Sequence, residues 1–440
     1  MHGIGRWCVR KVVPLALGIA ATGNLAAVSA ASGAVHQHGA AEQTLTLWSN
    51  GSLSSNPEVA LQIKGFEKLH PGVTIKTVAE PGSNYFTLLQ AALISGKVPD
   101  IVYLFAGSYL TPLTPYLVNL AGPHLATSLG ELKRIPEEAI WTKSGSLQGG
   151  TYAVPEENQF YNAFYNKALF RKAGIPQPPR DWSQLYADCA ILKKAHITPM
   201  VYGNDGNGGE FQPWFDWSYL LAGALPLSSW SRLIDGKLSY DNPAIVAQLA
   251  KWAKLGKNGC INSNALTNSA NQTQFEQNKA AMFVEGSWDI PTFANKLKGN
   301  LGVFIPPYSN APQNMIVQYP GGGFGVPKSS GHVKLAVQFL AYVMSPAGQR
   351  DLSRSGEIPV MSGYSAPNAL SRTLLNMGTN KQFNVFPMFD NYMPSSVLSV
   401  ANKALDQVLV GQLSPTSALQ ELAQAESDLP SSQRNVSYPL

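Results

Sequence analysis

The chain has 440 residues, of which 45% are hydrophobic and only 13% are charged, against roughly 25% charged residues in an ordinary soluble domain. This length predicts two or three domains, and this composition excludes a globally disordered chain. The formal net charge is +5, but the basic residues are scattered singly along the chain. A nucleic-acid partner is therefore not expected.

The N-terminus has the pattern of an export signal. Three basic residues, the last of them Lys11, precede the apolar run 12–21, and small residues follow as far as Ala30. This pattern predicts a secretory signal peptide over residues 1–30, cleaved after Ala30. An uncleaved membrane anchor is the alternative, although the apolar run is shorter than the ~20 residues that a spanning helix needs. No cysteine stands at the cleavage site, so we expect a periplasmic or extracellular protein without a lipid anchor.

The first elements of the mature chain alternate between strand and helix. Apolar runs predict strands at 44–48, 73–78 and 101–104. The helical segments between them carry apolar residues at helical spacing: Val59, Ile63, Phe66 and Leu69 in the first, and Phe86, Leu89 and Leu93 in the second. Strand, helix, strand, helix, strand predicts a parallel sheet.

A second α/β region begins near Tyr152 and continues to the C-terminal tail. One helix is predicted to start at Asn242 and Pro243, which are typical of a helix N-terminus. Its apolar face carries Ile245, Leu249, Trp252 and Leu255. The other helices are predicted at 183–194, 216–222, 333–344 and 395–429, the last one broken near Pro415.

Two cysteines remain after removal of the signal, Cys189 and Cys260. An even pair in an oxidising compartment is consistent with one disulfide. Two buried thiols are the equal alternative, because the sequence does not give the distance between the two Cα atoms.

Several short phrases occur in a fixed order along the chain. They are Gly96–Asp100, Gly150–Pro155, Phe164–Phe170, Asn278–Met282, Gly286–Trp288 and Pro320–Gly325. In this order they resemble the extracellular solute-binding proteins of family 1, the carbohydrate-binding group of ABC importers that includes maltose-binding protein. The resemblance depends on the common order of the phrases and covers residues 44–430.

The resemblance implies an α/β protein with the two-lobed type II periplasmic-binding-protein fold, in which each hinged lobe has a central β-sheet flanked by helices. By position, lobe 1 is expected at 42–151 plus 306–360, and lobe 2 at 152–303 plus 364–430. It also implies a monomer that binds a mono- or oligosaccharide and delivers it to the membrane permease subunits of an ABC transporter. No cofactor and no enzymatic activity are expected.

A sugar presents apolar C–H faces and a belt of hydroxyls, so its site needs flat aromatic surfaces and fixed hydrogen-bond partners. Trp288 is the first candidate, because it stands in a phrase where family members often carry a stacking aromatic. Packing in the core is its alternative role. The other candidates are Trp48, Asn50, Ser52, Tyr103, Glu156, Gly322, Gly323 and Tyr392.

The polar and glycine candidates each have a second interpretation. Asn50 and Ser52 follow a predicted parallel strand, where α/β sheets bind ligands, but both residue types also favour plain turns. Gly322 and Gly323 would let the main chain approach a ligand, or would only make a flexible strand entry. Glu156 follows the Gly150–Pro155 phrase and can accept hydrogen bonds from sugar hydroxyls; a solvated or capping role is its alternative.

Other functions use some of the same residue types as sugar binding. A secreted glycoside hydrolase also uses aromatic platforms with two carboxylates ~5–9.5 Å apart, a distance that the sequence does not give. The same scaffold also binds polyamines, which need several acids in the site, or phosphate esters. No serine-nucleophile, paired-cysteine or metal-ligand motif is present, and His36 and His38 lack further ligands.

Overall fold

The computed structural model describes residues 42–50, 57–80, 85–120, 151–203, 213–361 and 364–434. The predicted signal peptide and Ser52 lie outside these ranges, and for Asn50 only the main chain is described. None of the described helices is long and apolar enough to cross a membrane.

A first sheet is built mainly from the N-terminal part of the chain. Its strands are β1 (Gln43–Asn50), β2 (Val73–Glu80), β3 (Ile101–Leu104), β4 (Val154–Pro155) and, from much later in the chain, β10 (Gly323–Gly325). They lie in the order β2-β1-β3-β10-β4. The first three strands are parallel, as predicted, whereas β10 runs antiparallel to both of its neighbours.

A second sheet has six strands, which lie in the order β11-β9-β5-β7-β6 with β8 paired to β5. The long strand β5 carries the sheet, since β7, β8 and β9 all pair with it antiparallel. The strands are β5 (Asn158–Asn166), β6 (Thr198–Met200), β7 (Ala280–Gly286), β8 (Leu301–Phe304), β9 (Met315–Pro320) and β11 (Asn384–Phe386).

Helices pack against both sheets. The helices with the first sheet are α1 (Pro57–Leu69), α2 (Tyr85–Ser95), α10 (Val333–Val343) and α11 (Pro346–Ser355). The remaining helices are α3 (Lys167–Ala173), α4 (Trp182–Lys194), α5 (Pro213–Ala224), α6 (Trp230–Ile234), α7 (Pro243–Lys257), α8 (Asn271–Glu276), α9 (Ile290–Leu297), α12 (Ala369–Thr379), α13 (Ser395–Leu409) and α14 (Pro415–Ser427).

Local sequence signals explain these elements. Helix α7 starts as predicted, because the side chain of Asn242 accepts a hydrogen bond from Ala244 N at 2.9 Å and Pro243 occupies the first turn. All four residues of its predicted apolar face are buried. Helix α1 contains the four apolar residues predicted at helical spacing, and the last of them, Leu69, ends the helix and is 62% exposed.

Each sheet has its own hydrophobic core, and within the described ranges the chain crosses between the two cores at three places. The first crossing is at Glu156 and Glu157, between β4 and β5, and the second is at Gly321 and Gly322, between β9 and β10. In the third crossing, at 356–360, Ile358 belongs to the second core and Val360 to the first.

Sheet membership corrects the expected lobe boundaries at two points. Residues 315–320 were assigned to lobe 1, but as β9 they pair with β5 in the second sheet. Residues 154–155 were assigned to lobe 2, but as β4 they pair with β10 in the first sheet. In both sheets, strand pairing continues up to the residues that precede the crossings. Apolar patterning along the sequence does not reveal where this pairing ends.

The two candidate cysteines form a disulfide. Cys189 in α4 and Cys260, just after α7, are both buried, and their Cα atoms are 5.6 Å apart. The open choice between a disulfide and two thiols is therefore settled in favour of the disulfide, which ties α4 to the end of α7 in the second core.

Candidate functional site

Main-chain hydrogen bonds join the three crossings to one another. Glu156 N donates to Gly322 O at 2.8 Å, and Gly321 N donates to Glu157 O at 2.6 Å. Asn158 N donates to Ile358 O at 2.9 Å, so that the third crossing lies beside the first. The three segments therefore form one connected hinge region between the two sheets.

Tyr103 lies over the second crossing. A Cβ atom added to Gly322 would be only 1.5 Å from the Tyr103 hydroxyl oxygen, so the missing side chain makes room for this ring. The main chain of Tyr103 is fixed by Tyr85, whose hydroxyl donates to Tyr103 O at 2.7 Å and accepts from Tyr103 N at 2.9 Å. The Tyr103 hydroxyl in turn hydrogen-bonds to the carboxyl of Glu156.

Three glutamates of the crossings form a buried group that we call the crossing carboxyl cluster: Glu156, Glu157 and Glu357. Glu156 is 2% exposed and the other two are 5% exposed. The carboxyls of Glu157 and Glu357 lie within hydrogen-bonding range of each other, and Gln159 Nε2 donates to Glu157 Oε1 at 2.5 Å. A fourth buried carboxyl, that of Glu58 in the first turn of α1, interacts electrostatically with the cluster.

Burial raises the pKa of all three carboxyls in the cluster. The pKa of Glu156 lies well above its usual range because of burial and then because of the negative charges of Glu58 and Glu157. The pKa of Glu357 is also well above its usual range, through burial and then through Glu157. Burial raises the pKa of Glu157 as well, although its hydrogen bonds with Glu357 and Gln159 act in the opposite direction and lower it. Desolvation and like-charge repulsion both disfavour the ionised forms.

A group of aromatic rings lies on the second-sheet side of the hinge. Trp288 follows β7 in a short helical turn, and the Oγ atom of Ser287 in that turn accepts a hydrogen bond from Phe160 N at 3.0 Å. The half-buried indole of Trp288 lies 6.0 Å from the Tyr161 ring, nearly perpendicular to it, and 5.5 Å from the Phe215 ring. This edge-to-face packing fixes the orientation of an indole that is still partly accessible.

Tyr319 connects the aromatic rings to the cluster. Its ring lies 5.4 Å from that of Tyr161, and its hydroxyl is close enough to raise the pKa of Tyr103 further, after burial and the charges of Glu156 and Glu157 have raised it. Ring contacts therefore run from Trp288 through Tyr161 to Tyr319, and an electrostatic interaction links Tyr319 to Tyr103. This arrangement combines a flat apolar surface with several hydrogen-bonding groups, which is what a sugar site requires.

Among the predicted site residues, the structure places Tyr103 against Gly322 and the carboxyl of Glu156, and it places Trp288 in the aromatic group on the second-sheet side of the hinge. Trp48 lies in β1, half-buried against the first core, and its carbonyl accepts a hydrogen bond from the Tyr85 hydroxyl at 3.2 Å. Trp48 is thereby linked to Tyr103 through Tyr85. The roles of all these residues in ligand binding stay predictions.

Three other candidates are tightly packed, and their roles in ligand binding also stay predictions. At Gly322 the space above the Cα atom is occupied by Tyr103, and at Gly323 a Cβ atom would lie 2.1 Å from Val154 O. Both glycines therefore serve close packing within the hinge and the first sheet. Tyr392 is 1% exposed and its ring lies against Gly107, where a second contact, from Ser108 Oγ to Met393 O, also connects the two parts of the molecule.

Two other buried carboxylates, those of Asp216 and Asp100, lie away from the hinge. Asp216 is fully buried in the second core, where Tyr308, Tyr202 and Trp252 donate hydrogen bonds to it at 2.7, 2.8 and 3.2 Å. Asp100 precedes β3 at its amino end, so it lies at the opposite end of the strand from the site and accepts a hydrogen bond from Thr46 N. Neither carboxylate belongs to the site.

Sequence reasoning missed Glu58, Glu357, Tyr161, Phe215 and Tyr319. The feature these residues share is that each lies near a crossing or near the end of a strand. The sequence does not show where the crossings lie, so this feature could not be used to find them. Across the described ranges there is no group of three histidine, cysteine or carboxylate residues arranged to hold a metal ion.

Comparisons with known proteins bear on this arrangement. A family profile described as bacterial extracellular solute-binding protein matches residues 51–350. An sn-glycerol-3-phosphate-binding periplasmic protein of Yersinia pestis is 27% identical over 273 residues, which cover 58% of this chain and 60% of that protein. A galactooligosaccharide-binding protein of Bacillus subtilis is 21% identical over 86% of this chain and 88% of its own length.

Among solved structures, a chitin oligosaccharide binding protein superposes with a TM-score of 0.76 at 25% identity, covering 88% of this chain and 98% of that one. The predicted α/β, two-lobed type II periplasmic-binding-protein fold is confirmed by this likeness. The chain spans little more than half of the length of the first curated relatives, 54% to 60%.

Proposed function

Because this chain belongs to the bacterial extracellular solute-binding protein family, we propose that it is the substrate-binding subunit of an ABC importer. It captures a mono- or oligosaccharide outside the cytoplasmic membrane and delivers it to the permease subunits. It works as an exported monomer without cofactor and without chemical turnover.

The observation that carries this proposal is the half-buried indole of Trp288 beside a hinge lined with hydrogen-bonding groups. Its orientation is fixed by Tyr161 and Phe215. A pyranose ring offers one apolar face to such an indole and its hydroxyls to the polar groups of Tyr103 and Glu156. Proteins of similar fold and sequence whose names include chitin oligosaccharide or galactooligosaccharide binding support the same ligand class.

A phosphate ester is a poorer ligand for this site, despite the likeness to a glycerol-phosphate-binding protein. Glu156, Glu157 and Glu357 are buried at the hinge, and none of the ion pairs between described residues involves them. A dianionic phosphate beside these carboxyls would be repelled where they are ionised and would gain no cationic partner from them where they are protonated.

A thermal-shift screen of the purified mature protein against a panel of sugars tests the proposal directly. A ligand that binds only the folded state adds RT ln(1 + [L]/Kd) to the free energy of unfolding, about 2.7 kcal/mol at a hundredfold excess over Kd. We expect at least one neutral or amino sugar to raise the melting temperature and glycerol 3-phosphate to leave it unchanged. A panel in which glycerol 3-phosphate alone raises it would contradict the proposal.

Two further measurements separate this proposal from its alternatives. N-terminal sequencing of the exported protein is expected to begin near Ala31, and a start at Met1 in the membrane fraction would indicate an anchor. Incubation with chromogenic glycosides is expected to release no product. Product release that disappears in Glu156→Gln would favour a glycoside hydrolase instead.

A further inference from the structure

The two lobes also touch each other outside the hinge region. The contact joins the turn Gly107–Tyr109 of lobe 1, which follows β3, to the turn formed by residues 390–393 of lobe 2. The Ser108 hydroxyl donates a hydrogen bond to Met393 O. The next residue, Tyr109, packs against the core of the second sheet. The lobes are therefore connected at a place where the chain itself does not cross.

Gly107 is the point of closest approach between the two turns. Its φ of +67° lies in the left-handed region, and a Cβ atom added there would be 2.0 Å from Asn391 O and 3.2 Å from the Tyr392 ring. A side chain at this position would force the turns apart. The absence of a side chain at Gly107 therefore serves the contact with lobe 2 as well as the local backbone conformation.

The turn of lobe 1 is fixed by contacts within its own lobe. Thr111 Oγ1 donates to Gly107 O at 2.9 Å, and Leu110 N donates to the same oxygen at 3.1 Å. The ring of Tyr109 lies 4.6 Å from that of Phe86. These contacts do not involve lobe 2, so the turn is formed before the lobes meet.

The turn of lobe 2 is held by a buried network that reaches the proposed sugar site. Asp390 is fully buried, and its carboxylate accepts from the Tyr161 hydroxyl at 2.9 Å and from Ser218 Oγ at 3.3 Å. Ser218 Oγ also accepts from Phe389 N at 2.9 Å. The ring of the same Tyr161 lies 6.0 Å from the indole of Trp288. One tyrosine therefore contacts both the turn and the indole.

We propose that Gly107 and Ser108 are positioning residues for ligand binding, because with turn 390–393 they form a latch that holds the two lobes closed beside the sugar site. Every atom of the latch belongs to the chain itself, so the closed arrangement is already populated before a ligand binds. The turn of lobe 1 follows the carboxyl end of β3, and this edge of a parallel sheet is where α/β proteins bind ligands. The effect on sugar affinity rests on the proposed function, whereas the closed population does not.

The latch acts on affinity through the fraction of molecules that are closed. When the closed form binds the ligand, the apparent Kd equals the intrinsic Kd divided by the closed fraction. A variant that closes less often therefore binds more weakly, although no residue that touches the sugar has changed. A contact with a purely structural role would instead change the melting temperature and leave the affinity of the folded protein unchanged.

Pulsed electron paramagnetic resonance between two nitroxide labels measures the closed population without a ligand. The labels are attached through Ile94→Cys on α2, where the native side chain is 62% exposed, and Glu421→Cys on α14, which is also exposed. The native pair Cys189 and Cys260 forms a disulfide and does not react with the label. We expect the distance distribution of the mature protein to contain a component at the separation that the two positions have in this structure. Gly107→Ala is expected to remove this component.

Gly96→Ala is the matched control. Gly96 has a φ of +71°, close to that of Gly107, but nothing lies within 4 Å of a Cβ atom added there. The two substitutions therefore introduce the same left-handed strain and differ only in the contact with lobe 2. We expect the two variants to have similar melting temperatures, and we expect Gly96→Ala to retain the closed component.

Calorimetry then measures the effect of the latch on affinity. Glucose, galactose, cellotriose and the β-1,4-linked N-acetylglucosamine trimer are titrated into the unlabelled variants. For each sugar that binds, Gly107→Ala is expected to weaken binding roughly tenfold or more relative to Gly96→Ala. Ser108→Ala removes one hydrogen-bond donor without a clash, so it should weaken binding by roughly threefold to tenfold.

The outcomes distinguish this inference from the proposed function. Equal distance distributions in Gly107→Ala and Gly96→Ala would overturn the latch, whether or not a sugar binds. Tighter sugar binding by Gly107→Ala would also overturn it, because the contact would then oppose ligand entry. If Gly107→Ala does not fold, Ser108→Ala decides, and a distribution equal to that of the parent protein overturns the inference. If none of the sugars binds, the proposed function fails, and the distance measurement alone decides the latch.

Discussion

Truncation of Trp288 to alanine separates a ligand-binding role from a packing role. The indole is half-buried and touches two rings, those of Tyr161 and Phe215. An aromatic anchor in a binding site commonly contributes about 2 kcal/mol or more, which corresponds to roughly a thirtyfold loss of affinity. We therefore expect Trp288→Ala to weaken sugar binding at least roughly thirtyfold in calorimetry.

The same variant is expected to keep most of its stability without ligand. Truncating a fully buried tryptophan costs about 3–5 kcal/mol, and a half-buried indole with two ring partners should cost about half of that. Such a loss lowers the melting temperature by roughly 3–10 °C in a domain of about 150–250 residues. Trp288→Tyr, which retains a flat ring, is expected to recover most of the affinity.

Trp252 provides the matched control. Its indole is fully buried in the second core and its Nε1 atom donates to Asp216 Oδ2 at 3.2 Å. Trp252→Ala should therefore lower the melting temperature more than Trp288→Ala does, while the folded fraction binds sugar with unchanged affinity. The reasoning is refuted if Trp288→Ala binds sugar normally, or if the two variants lose affinity equally.

Three other changes have outcomes that the structure specifies. Replacing Cys189 and Cys260 with serine removes a disulfide that joins residues separated by 71 positions in the sequence. This change should lower the free energy of unfolding, measured in urea titrations, by about 4 kcal/mol. Unchanged stability would show that the disulfide does not form. Gly322→Ala places a methyl group 1.5 Å from the hydroxyl oxygen of Tyr103 and should weaken sugar binding. Gly299→Ala is the control, because nothing lies within 4 Å of its added methyl group, and it should leave the affinity unchanged. Equal affinities in the two variants would contradict the proposed packing of the hinge. Burial raises the pKa of Asp216 from 3.8 to about 7 despite three donated hydrogen bonds, so the folded state binds the proton more tightly and the free energy of unfolding should fall as pH rises from about 4 to about 7. Asp216→Asn should flatten this part of the stability curve, and an unchanged slope would exclude the residue as its source.

The elements of the fold could be predicted because their signals are local. The strand at 101–104 and the helix starting at Pro243 have the predicted bounds or first residue, since apolar spacing and helix capping depend on neighbouring residues alone. Trp288 could be chosen because a family phrase and the chemistry of sugars indicate the same residue. The disulfide could not be settled, because a distance between two Cα atoms is a property of the tertiary structure.

The crossing carboxyl cluster shows the limit of such reasoning in physical terms. Glu156 and Glu157 attract attention as adjacent acids, but Glu357 lies two hundred residues further along the chain and looks like any acid after a helix. The two segments meet because Asn158 N donates to Ile358 O, and the glycines of the second crossing lie alongside them. Each of these contacts is long-range, so no window of the sequence contains it. A site assembled at a hinge is therefore the part of this protein that the sequence reveals least, because it depends on the convergence of three distant segments.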